Sequence, residues 1–461
     1  MSKLCINISD LFNLNDAELF DPHLIGVYSD VTIDSRLVKH GSLFIAIRGN
    51  NFDGHKFVSE AVKNGAAAII VEKKKLKNYD NIKVPIISVA DTTIALGEIA
   101  SIWRNKLKAK VICITGSSGK TTTKDILVSL LRSKYKVAGT ILNNNNHIGV
   151  PLTLLSAKAD DDFVVIEAGT NHFGEIDYTT KIVSPDYSII TNIGASHLEF
   201  FKSKTGVFRE KEFLFKNTSK TGKIFINADD SLLVKLKSKY ANSILYGFVD
   251  ESDIKGRIVN SQSDGRYSLI IQSKRYSFET MLPLLGIQNA KNILAASAIA
   301  ISVGVNKKSL LEAVQLLKAP KQRLNVINYK NQILIDDTYN ANPESMKASI
   351  ELVGSISKYS KRILILGDMF ELGEKSEKMH RSLSVVIKNS KPCNVLLIGN
   401  KMKYLNEELQ AKGLTSKYFR TRVSLENYLQ KTNYEESTIL IKGSRGMKME
   451  EFAKIVSERL A

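Results

Sequence analysis

Residues 114–123, which read ITGSSGKTTT, have the types and spacing needed to hold a phosphate group. Gly116 and Gly119 allow a tight backbone turn, so that several N–H groups can point at one anion. Lys120 adds a full positive charge, and Thr121 supplies a hydroxyl of the kind that binds Mg²⁺. A helix that begins here would add its dipole to the same site. The segment therefore predicts binding of ATP or GTP.

The loop departs from the common pattern G-x-x-x-x-G-K-[ST], because Ile114 stands where that pattern has glycine. It is a shortened form, G-x-x-G-K-T, that begins at Gly116. The alternative is a glycine- and serine-rich turn with a chance lysine, but the predicted strand before the loop and helix after it favour a nucleotide site. Kinases, GTPases, helicases and ligases all use such loops, so the loop leaves the reaction open.

Two polar residues follow predicted strands and could lie near the loop. Glu167 follows the apolar run 163–166, and His197 lies just beyond the run 187–191. The carboxyl ends of parallel strands face the crevice in which ligands bind, and carboxylate oxygens suit Mg²⁺. Glu167 is therefore a candidate metal ligand, the alternative being a capping or solvated glutamate. His197 could face the same crevice or form a structural hydrogen bond.

Lys211 lies on the apolar side of a predicted helix over residues 205–215, one turn from both Val207 and Leu214. A lysine that faces inward must either extend its ammonium group to solvent or find a partner. Near a triphosphate it could instead be neutral enough to react with CO₂, which gives a carbamate able to bind metal. The sequence leaves these alternatives open.

The elements that position these residues indicate an α/β fold with three domains. Short apolar runs with Gly and Asn turns predict a small α/β N-terminal domain at residues 1–90. Strand-like runs that alternate with helical patterns predict a central P-loop mononucleotide-binding domain at 91–318, with a mostly parallel sheet. The same alternation beyond the linker at Ala319 and Pro320 predicts a Rossmann-like, doubly wound C-terminal domain at 319–461.

The apolar runs also give the expected positions of individual elements. Strands are expected at 42–47, 66–71, 85–89, 111–115, 163–166, 187–191, 223–227, 332–336, 362–366, 394–398 and 438–441. Helices are expected near 91–107, 121–132, 205–215 and 290–303. A further helix should begin after Asn342 as N-cap, with Pro343 in its first position. Short alternating pieces within residues 240–285 predict an antiparallel appendage.

Composition narrows the class of protein. The chain has 461 residues, 43% apolar and 24% charged, which is ordinary globular usage. Its net charge of +18 is spread along the sequence, so a nucleotide fits at least as well as nucleic acid, which we do not expect as a partner. The longest apolar stretch, 293–305, is too short for membrane insertion. The N-terminus lacks an apolar signal and the three cysteines lie far apart, so we expect a cytoplasmic protein without disulfides.

Several longer blocks resemble the Mur ligases, the amino-acid-adding enzymes of bacterial peptidoglycan precursor synthesis. The blocks are TGSSGKTTT at 115–123, NNNHIGVP at 144–151, EAGTNHFGEI at 167–176, NIGASHL at 192–198, DDTYNANPES at 336–345, LGDMFELGE at 366–374 and KGSRGM at 442–447. The set is most similar to the family member that adds D-Ala-D-Ala, and YNANPES is its most telling block. The D-N-P-R motif of the sibling that adds the diamino acid is absent.

The resemblance implies an ATP-dependent ligase that joins D-Ala-D-Ala to UDP-N-acetylmuramoyl-tripeptide, with Mg²⁺ as cofactor. The terminal carboxylate of the tripeptide would attack the γ-phosphate of ATP, and the amine of D-Ala-D-Ala would attack the resulting acyl phosphate. The N-terminal domain would bind the UDP-sugar, the central domain ATP, and the C-terminal domain the dipeptide and part of ATP. We expect a monomer whose domains close about hinges near residues 90 and 319 and shield the acyl phosphate from water.

The resemblance also implies roles for individual residues. ATP would contact Gly116, Ser117, Ser118, Gly119, Lys120, Thr121, Thr122, Asn289, Asn292, Arg323 and Asp337. Mg²⁺ would be organised by Thr121, Glu167, His197 and a carbamylated Lys211. The other substrates would contact Ser35, Arg36, Asp53, His55, Asn144, Asn145, Asn340 and Asn342, although Asn342 is equally well explained as a helix N-cap. The catalytic residues would be Lys120, His197, Lys211 and Arg323. Gln288 stands where the family usually has histidine, beside the predicted adenine contacts.

Three other interpretations of the sequence stay open. The first is a sibling ligase, such as a folylpolyglutamate synthase or another Mur step. The second is a nucleic-acid-stimulated NTPase, which would show ATPase activity that rises with DNA or RNA, although no helicase motif set is present. The third is an inactive homologue, against which Lys120, Glu167 and His197 argue.

Overall fold

The computed structural model of the protein describes residues 4–20, 26–49 and 52–461. The chain divides into two compact units, each described separately below. The first contains Met1–Thr115, Lys134–Ile189 and Glu212–Ile224, and the second contains Gly116–Ser133, Ile190–Lys211 and Phe225–Ala461. Residues 1–3, 21–25 and 50–51 of the predicted N-terminal domain lie outside the described residues.

Strands and helices alternate along most of the chain. The strands are β1 (Ile6–Asn7), β2 (Glu18–Phe20), β3 (Val27–Tyr28), β4 (Asp30–Thr32), β5 (Ser42–Ile45), β6 (Ala66–Glu72), β7 (Ile86–Val89), β8 (Lys110–Thr115), β9 (Val137–Gly139), β10 (Phe163–Glu167), β11 (Tyr187–Ile190), β12 (Lys223–Asn227), β13 (Ser243–Gly247), β14 (Ile254–Ser261), β15 (Tyr267–Gln272), β16 (Ser277–Met281), β17 (Asn325–Asn328), β18 (Gln332–Asp337), β19 (Lys361–Gly367), β20 (Asn394–Ile398), β21 (Lys417–Phe419) and β22 (Ser437–Lys442). The helices are α1 (Ile8–Leu11), α2 (Val58–Lys63), α3 (Thr92–Lys106), α4 (Lys120–Arg132), α5 (Gly149–Ser156), α6 (Glu175–Val183), α7 (Leu198–Phe201), α8 (Lys204–Lys216), α9 (Ile287–Ser302), α10 (Lys307–Gln315), α11 (Pro343–Ser355), α12 (Ser376–Ser390), α13 (Met402–Ala411), α14 (Arg422–Lys431) and α15 (Glu450–Leu460). The expected strands and helices are therefore confirmed, with ends that differ by a few residues.

The first unit begins with a small α/β arrangement, as predicted. Its five-stranded sheet has the order β2-β7-β6-β5-β4, in which β4 to β7 are parallel and β2 is antiparallel. Phe44 and Ile69 of this sheet pack with Val58 and Ala61 of α2. Later in the same unit, β10 pairs in parallel with both β8 and β9, and this pairing sets Glu167 opposite Ile114. The glutamate thus lies level with the end of the strand that leads into the glycine-rich loop.

The second unit contains a doubly wound sheet, which confirms the predicted C-terminal architecture. The strand order is β17-β18-β22-β19-β20-β21, and all pairs are parallel except β17 with β18. Ile333 and Ile335 belong to one apolar core and Leu334 to another, because successive side chains of a strand point to opposite faces. Helices cover both faces, so the middle of each central strand is a continuous apolar run rather than an alternating pattern.

The antiparallel appendage expected within residues 240–285 is confirmed for three strands. β14 pairs with β15, and β15 with β16, in antiparallel register. β13 differs, because it pairs in parallel with β14. Helix α9 follows and packs against α4, the helix that begins at the glycine-rich loop. Within the described ranges, every helix is too short or too polar to span a bilayer.

Candidate functional site

The glycine-rich loop has a backbone that requires its glycines. Gly116 has φ of 150°, and a Cβ there would overlap Oγ1 of Thr191. Gly119 has φ of 77°, and a Cβ there would lie 2.5 Å from Oδ1 of Asn292. Thr191 Oγ1 also donates to the carbonyl of Ser118 at 2.6 Å. The turn is therefore held tightly from outside, and two of its N–H groups, those of Ser117 and Ser118, donate to the backbone and side-chain oxygens of Asn192 at 3.0 and 3.1 Å.

Lys120 is the first residue of α4, and its side chain folds back over the loop. Its Nζ donates to the carbonyl of Gly116 at 2.9 Å, so the ammonium lies above the turn rather than in solvent. Thr121 and Thr122 follow and are buried. The structure thus places a cation, hydroxyl groups and a helix N-terminus at one point, as the sequence predicts for a triphosphate site.

Of the two asparagines of α9, one meets the loop. Asn292 Oδ1 accepts from Thr123 Oγ1 at 3.3 Å and limits the space at Gly119. Asn289 is buried, and its Nδ2 donates to the carbonyl of Leu285 at 2.8 Å. Its side-chain amide therefore bonds to the residues just before its own helix, and the contact with adenine stays a prediction.

In the first unit, the structure brings Glu167 and Asn145 together. Asn145 Nδ2 donates to Glu167 Oε1 at 2.7 Å, while Glu167 Oε2 is buried and has no hydrogen-bond partner within the described part of the chain. The backbone of Asn144 packs closely against Gly149, since a Cβ at Gly149 would lie 2.4 Å from the Asn144 carbonyl. An orphaned carboxylate oxygen suits a divalent cation, so the donor chemistry fits Mg²⁺. Among the described residues, no three His, Cys, Asp or Glu side chains form a preassembled metal cluster, so phosphate oxygens and water would have to complete the coordination.

Lys211 faces inward, as the helical pattern predicts. It is only 1% exposed. Burial, together with the positive charge of Lys120, lowers the pKa of Lys211 well below its ordinary value. The interpretation that its ammonium extends to solvent is therefore wrong, and the neutral amine is favoured.

His197 has a strained backbone and an unpredicted acidic neighbour. Its φ of 52° lies in the left-handed region, which non-glycine residues seldom adopt. Its Nδ1 lies 2.5 Å from Oε2 of Glu371, and the Glu371 carbonyl accepts from the N–H of Glu199 at 3.1 Å. The carboxylate faces Nδ1 without the geometry of a hydrogen bond, so the two groups form an ion pair only when the ring is protonated. Glu371 lies in the LGDMFELGE block, but nothing in the sequence links it to His197.

Arg323 is held over an aromatic ring. The centre of its guanidinium lies 3.7 Å from the ring centroid of Tyr339, a cation–π contact that fixes a long side chain. Its neighbours Gln322 and Leu324 have φ of 61° and 47°, and the N–H of Tyr339 donates to the Gln322 carbonyl at 3.0 Å. Arg445 also lies over this ring, at 5.6 Å. Sequence reasoning found Arg323 but missed both Tyr339 and Arg445.

Asp337 already has protein partners on both carboxylate oxygens. Its Oδ1 accepts from the N–H of Leu324 at 3.1 Å, and its Oδ2 from Ser349 Oγ and Lys442 Nζ, each at 2.6 Å. The side chain is 10% exposed. Its contact with ribose stays a prediction, whereas its structural role as partner of Lys442 is visible.

The two asparagines predicted to meet the dipeptide are held differently. Asn342 accepts from the N–H of Ser345 at 2.8 Å, which confirms the N-cap, and its Nδ2 lies 3.4 Å from the Ser117 carbonyl. Asn340 Oδ1 accepts from the N–H of Arg445 at 3.3 Å. Asn342 therefore contacts the glycine-rich loop, and Asn340 contacts Arg445.

The four predicted substrate contacts near the N-terminus differ in how exposed their side chains are. Arg36 is 80% exposed, and its bidentate contact with Asp34 lowers the pKa of that carboxyl group. Ser35 donates to Glu60 at 3.2 Å. His55 is buried between Asp53, 2.7 Å from its Nδ1, and the N–H of Glu72, 3.0 Å from its Nε2. Arg36 can reach a diphosphate, whereas His55 is already used at both ring nitrogens.

Comparison with known proteins agrees with this geometry. Residues 27–104 match the model "Mur ligase family, catalytic domain", 114–300 the Mur ligase middle domain, and 322–445 the Mur ligase glutamate ligase domain. The chain thus belongs to the Mur ligase family and has its three-domain architecture.

Within that family, several relatives that match over nearly their whole length carry the same name. The chain is 35% identical to UDP-N-acetylmuramoyl-tripeptide–D-alanyl-D-alanine ligase of Haemophilus influenzae, over 96% of this chain and 98% of that protein. It matches a crystal structure of MurF from Acinetobacter baumannii with a TM-score of 0.89 and 29% identity, over 99% of this chain and 100% of that one. It also matches MurF of Thermotoga maritima in complex with ADP, with a TM-score of 0.82 and 27% identity, over 94% and 97% of the two chains.

Proposed function

We propose that this chain is an ATP-dependent carboxylate–amine ligase that joins D-Ala-D-Ala to UDP-N-acetylmuramoyl-tripeptide in the synthesis of the peptidoglycan precursor. The observation that carries the proposal is the glycine-rich phosphate loop of a Mur ligase, in a chain whose whole length matches ligases of that specificity. The reaction takes place in the cytoplasm, where both ATP and the nucleotide precursor are found.

The chemistry begins with a carboxylate that cannot condense with an amine at neutral pH, because oxide is a poor leaving group. Transfer of the γ-phosphoryl group of ATP to the tripeptide carboxylate gives an acyl phosphate and ADP. Lys120 and the N-terminus of α4 neutralise the charge that develops on the phosphate oxygens. Arg323, held rigid on Tyr339, adds a second cation to the transferred group.

Mg²⁺ fits this site and would neutralise phosphate charge there. The residues proposed to hold it are Thr121 and Glu167, with His197 as a further ligand. Glu167 Oε2 is the best-supported of these ligands, because it is buried and lacks a hydrogen-bond partner within the described residues.

Lys211 is proposed to carry a carbamate. A neutral amine attacks CO₂ and loses one proton, which leaves an anionic carbamate in place of a cation. The burial of Lys211 and the positive charge of Lys120 both favour this neutral amine. The resulting anion is itself suited to bind Mg²⁺ beside the phosphates.

The remaining contacts are proposals of the same kind. Arg36, exposed and rigidly paired, binds the diphosphate of the UDP-sugar together with Ser35. Asp53 and His55 shape that pocket from beneath. Asn340 and Asn342 line the path of the incoming dipeptide.

The test is phosphate release from ATP with both peptide substrates present and with each omitted in turn. Release should require both, and mass spectrometry should detect the pentapeptide product. Lys120→Met should abolish phosphate release. Lys74→Met, which replaces an exposed lysine outside the glycine-rich loop, should leave phosphate release unchanged. Acceptors of sibling ligases should be inactive, and added DNA or RNA should have no effect. Phosphate release that is independent of both peptides would refute the proposal.

A further inference from the structure

Glu344, in the first turn of α11, reaches the segment that follows β11. Its Oε1 accepts from the N–H of Ala195 at 2.9 Å and lies 3.0 Å from Nζ of Lys204. A backbone N–H and an ammonium group therefore hold one carboxylate oxygen in place. The sequence alone gives Glu344 only a helix N-terminal position, where a carboxylate favours the helix dipole.

The other oxygen of this carboxylate is shielded and unsatisfied. Glu344 Oε2 is buried and has no hydrogen-bond partner within the described residues. A Cβ added to Gly194 would lie 3.2 Å from this oxygen and 3.3 Å from Cβ of Ser117. Ser117 belongs to the glycine-rich loop, and its Oγ accepts from the N–H of Gly194 at 2.8 Å. The unsatisfied oxygen is thus separated from the phosphate loop by a single glycine.

A buried carboxylate oxygen without a hydrogen-bond partner is unfavourable, so this oxygen is expected to receive a donor. A phosphate group is excluded by like charge, whereas an ammonium group is favoured. Lys204 shows that this carboxylate accepts an ammonium, since Nζ already occupies the Oε1 side. Asn342, two residues before Glu344, contacts the loop carbonyl of Ser117 and so fixes the start of α11 at this place.

In the proposed reaction the ammonium group that must react at the loop is that of the incoming dipeptide. An α-amino group has a pKa of about 7.7–8.0, so most of it is protonated at pH 7 and cannot act as a nucleophile. A positioned base must therefore remove a proton before the acyl phosphate is attacked.

We propose that Glu344 Oε2 receives the ammonium group of the incoming dipeptide and accepts one of its protons. This inference rests on the proposed ligase function and adds a catalytic residue to it. The neutral amine then forms the C–N bond at the acyl carbon, which gives a tetrahedral intermediate. The C–O bond to the phosphate breaks, a second nitrogen proton leaves with the phosphate, and the amide remains. Glu344 afterwards releases its proton to solvent.

The test compares Glu344→Gln with Glu351→Gln, an exposed glutamate two turns further along the same helix. Glu344→Gln should lower kcat/KM for D-Ala-D-Ala by about 10²- to 10⁴-fold and leave KM for ATP unchanged. Hydroxylamine, which is neutral at pH 7, should bypass the base: both variants should form hydroxamate from the tripeptide at the wild-type rate. The deficit of Glu344→Gln should also narrow as the pH rises through the pKa of the dipeptide amine.

Other outcomes separate the possibilities. If Glu344 only clamps the Ala195 segment, Glu344→Gln would slow hydroxamate formation as much as ligation, and Lys204→Met would reproduce the defect. Wild-type activity of Glu344→Gln with the dipeptide would overturn the inference while leaving the ligase function intact. Failure of the unmodified chain to form either hydroxamate or pentapeptide would instead reject the proposed function.

Discussion

Replacement of Lys442 by methionine should loosen the sheet of the second unit at one point. Lys442 and Asp337 end β22 and β18 and lie opposite each other in the parallel register. Their side chains are 2% and 10% exposed and meet at 2.6 Å. Methionine keeps most of the volume of lysine, so the substitution removes charge with little loss of packing.

The magnitude follows from the contacts that are lost and those that stay. The ion-paired hydrogen bond to Asp337 contributes about 1.5–3 kcal/mol, and the bond to the Asn340 carbonyl about 0.5–1.5 kcal/mol. Ser349 and the N–H of Leu324 still hold the carboxylate. The sum agrees with the loss of about 3–5 kcal/mol expected when one partner of a buried pair is removed.

Amide hydrogen exchange of β18 and β22, followed by mass spectrometry, measures this loss locally. A chain of several domains does not unfold in one step, so a global free energy of unfolding would be ill defined. Loss of 3–5 kcal/mol corresponds to exchange that is about 10²- to 10⁴-fold faster, as far as the global unfolding limit permits. Amides of β5 and β6 in the first unit, and the fluorescence of the single tryptophan, Trp103, serve as internal controls.

The double variant Asp337→Asn with Lys442→Met decides whether the pair itself is responsible. Removal of both charges should restore part of the protection, with a coupling of about 0.5–3 kcal/mol between the two substitutions. Unchanged exchange in Lys442→Met, or two effects that simply add, would refute the reasoning.

Three further predictions concern a buried thiol, the glycine-rich loop and the buried lysine of α8. Burial raises the pKa of the Cys113 thiol to about 12, so iodoacetamide at pH 8 should modify exposed Cys5 and Cys393 but not Cys113, as peptide mapping would show. Gly119→Ala should weaken nucleotide binding by at least tenfold in calorimetry, because φ of 77° and the approach to Asn292 both oppose a Cβ; Gly413→Ala, at φ of 69° in open space, controls for strain alone. Lys211→Met should abolish ligation yet slow amide exchange of α8 at pH 7, because it removes a buried amine whose charged form is disfavoured; since the folded-state pKa of Lys211 is lowered, the advantage of methionine should shrink as pH rises towards 10.5.

The fold was largely predictable because its signals are local. β18 and β19 contain the continuous apolar runs 333–335 and 363–366, and a run of that kind predicts a strand covered on both faces. Asn342 and Pro343 mark a helix start by their own chemistry, and the glycines of the phosphate loop mark a turn. Each of these features depends on only a few consecutive residues.

The carboxylates of the candidate site were less predictable because their partners lie far away in the sequence. Glu371 meets His197 across 174 positions, and Asp337 meets Lys442 across 105. A carboxylate has no period or spacing that indicates such a partner. Asp337 illustrates the consequence: the sequence suggested a ligand contact, whereas both of its oxygens are bound within the protein.

The segment 336–345 connects these separate observations physically. At its start, Asp337 anchors the segment to Lys442. In its middle, Tyr339 carries Arg323. At its end, Asn342 contacts Ser117 of the phosphate loop, and Glu344 contacts the neighbouring segment at Ala195. Pro343 and the Asn342 cap fix the start of α11, and the irregular residues 338–342 before it are held through Asn340, whose carbonyl accepts from Lys442 and whose Oδ1 accepts from the N–H of Arg445. Lys442→Met should therefore also raise KM for the dipeptide, although Lys442 is buried and itself touches neither the loop nor Arg323. Loss of exchange protection without any change in KM would show that the two ends of the segment are independent.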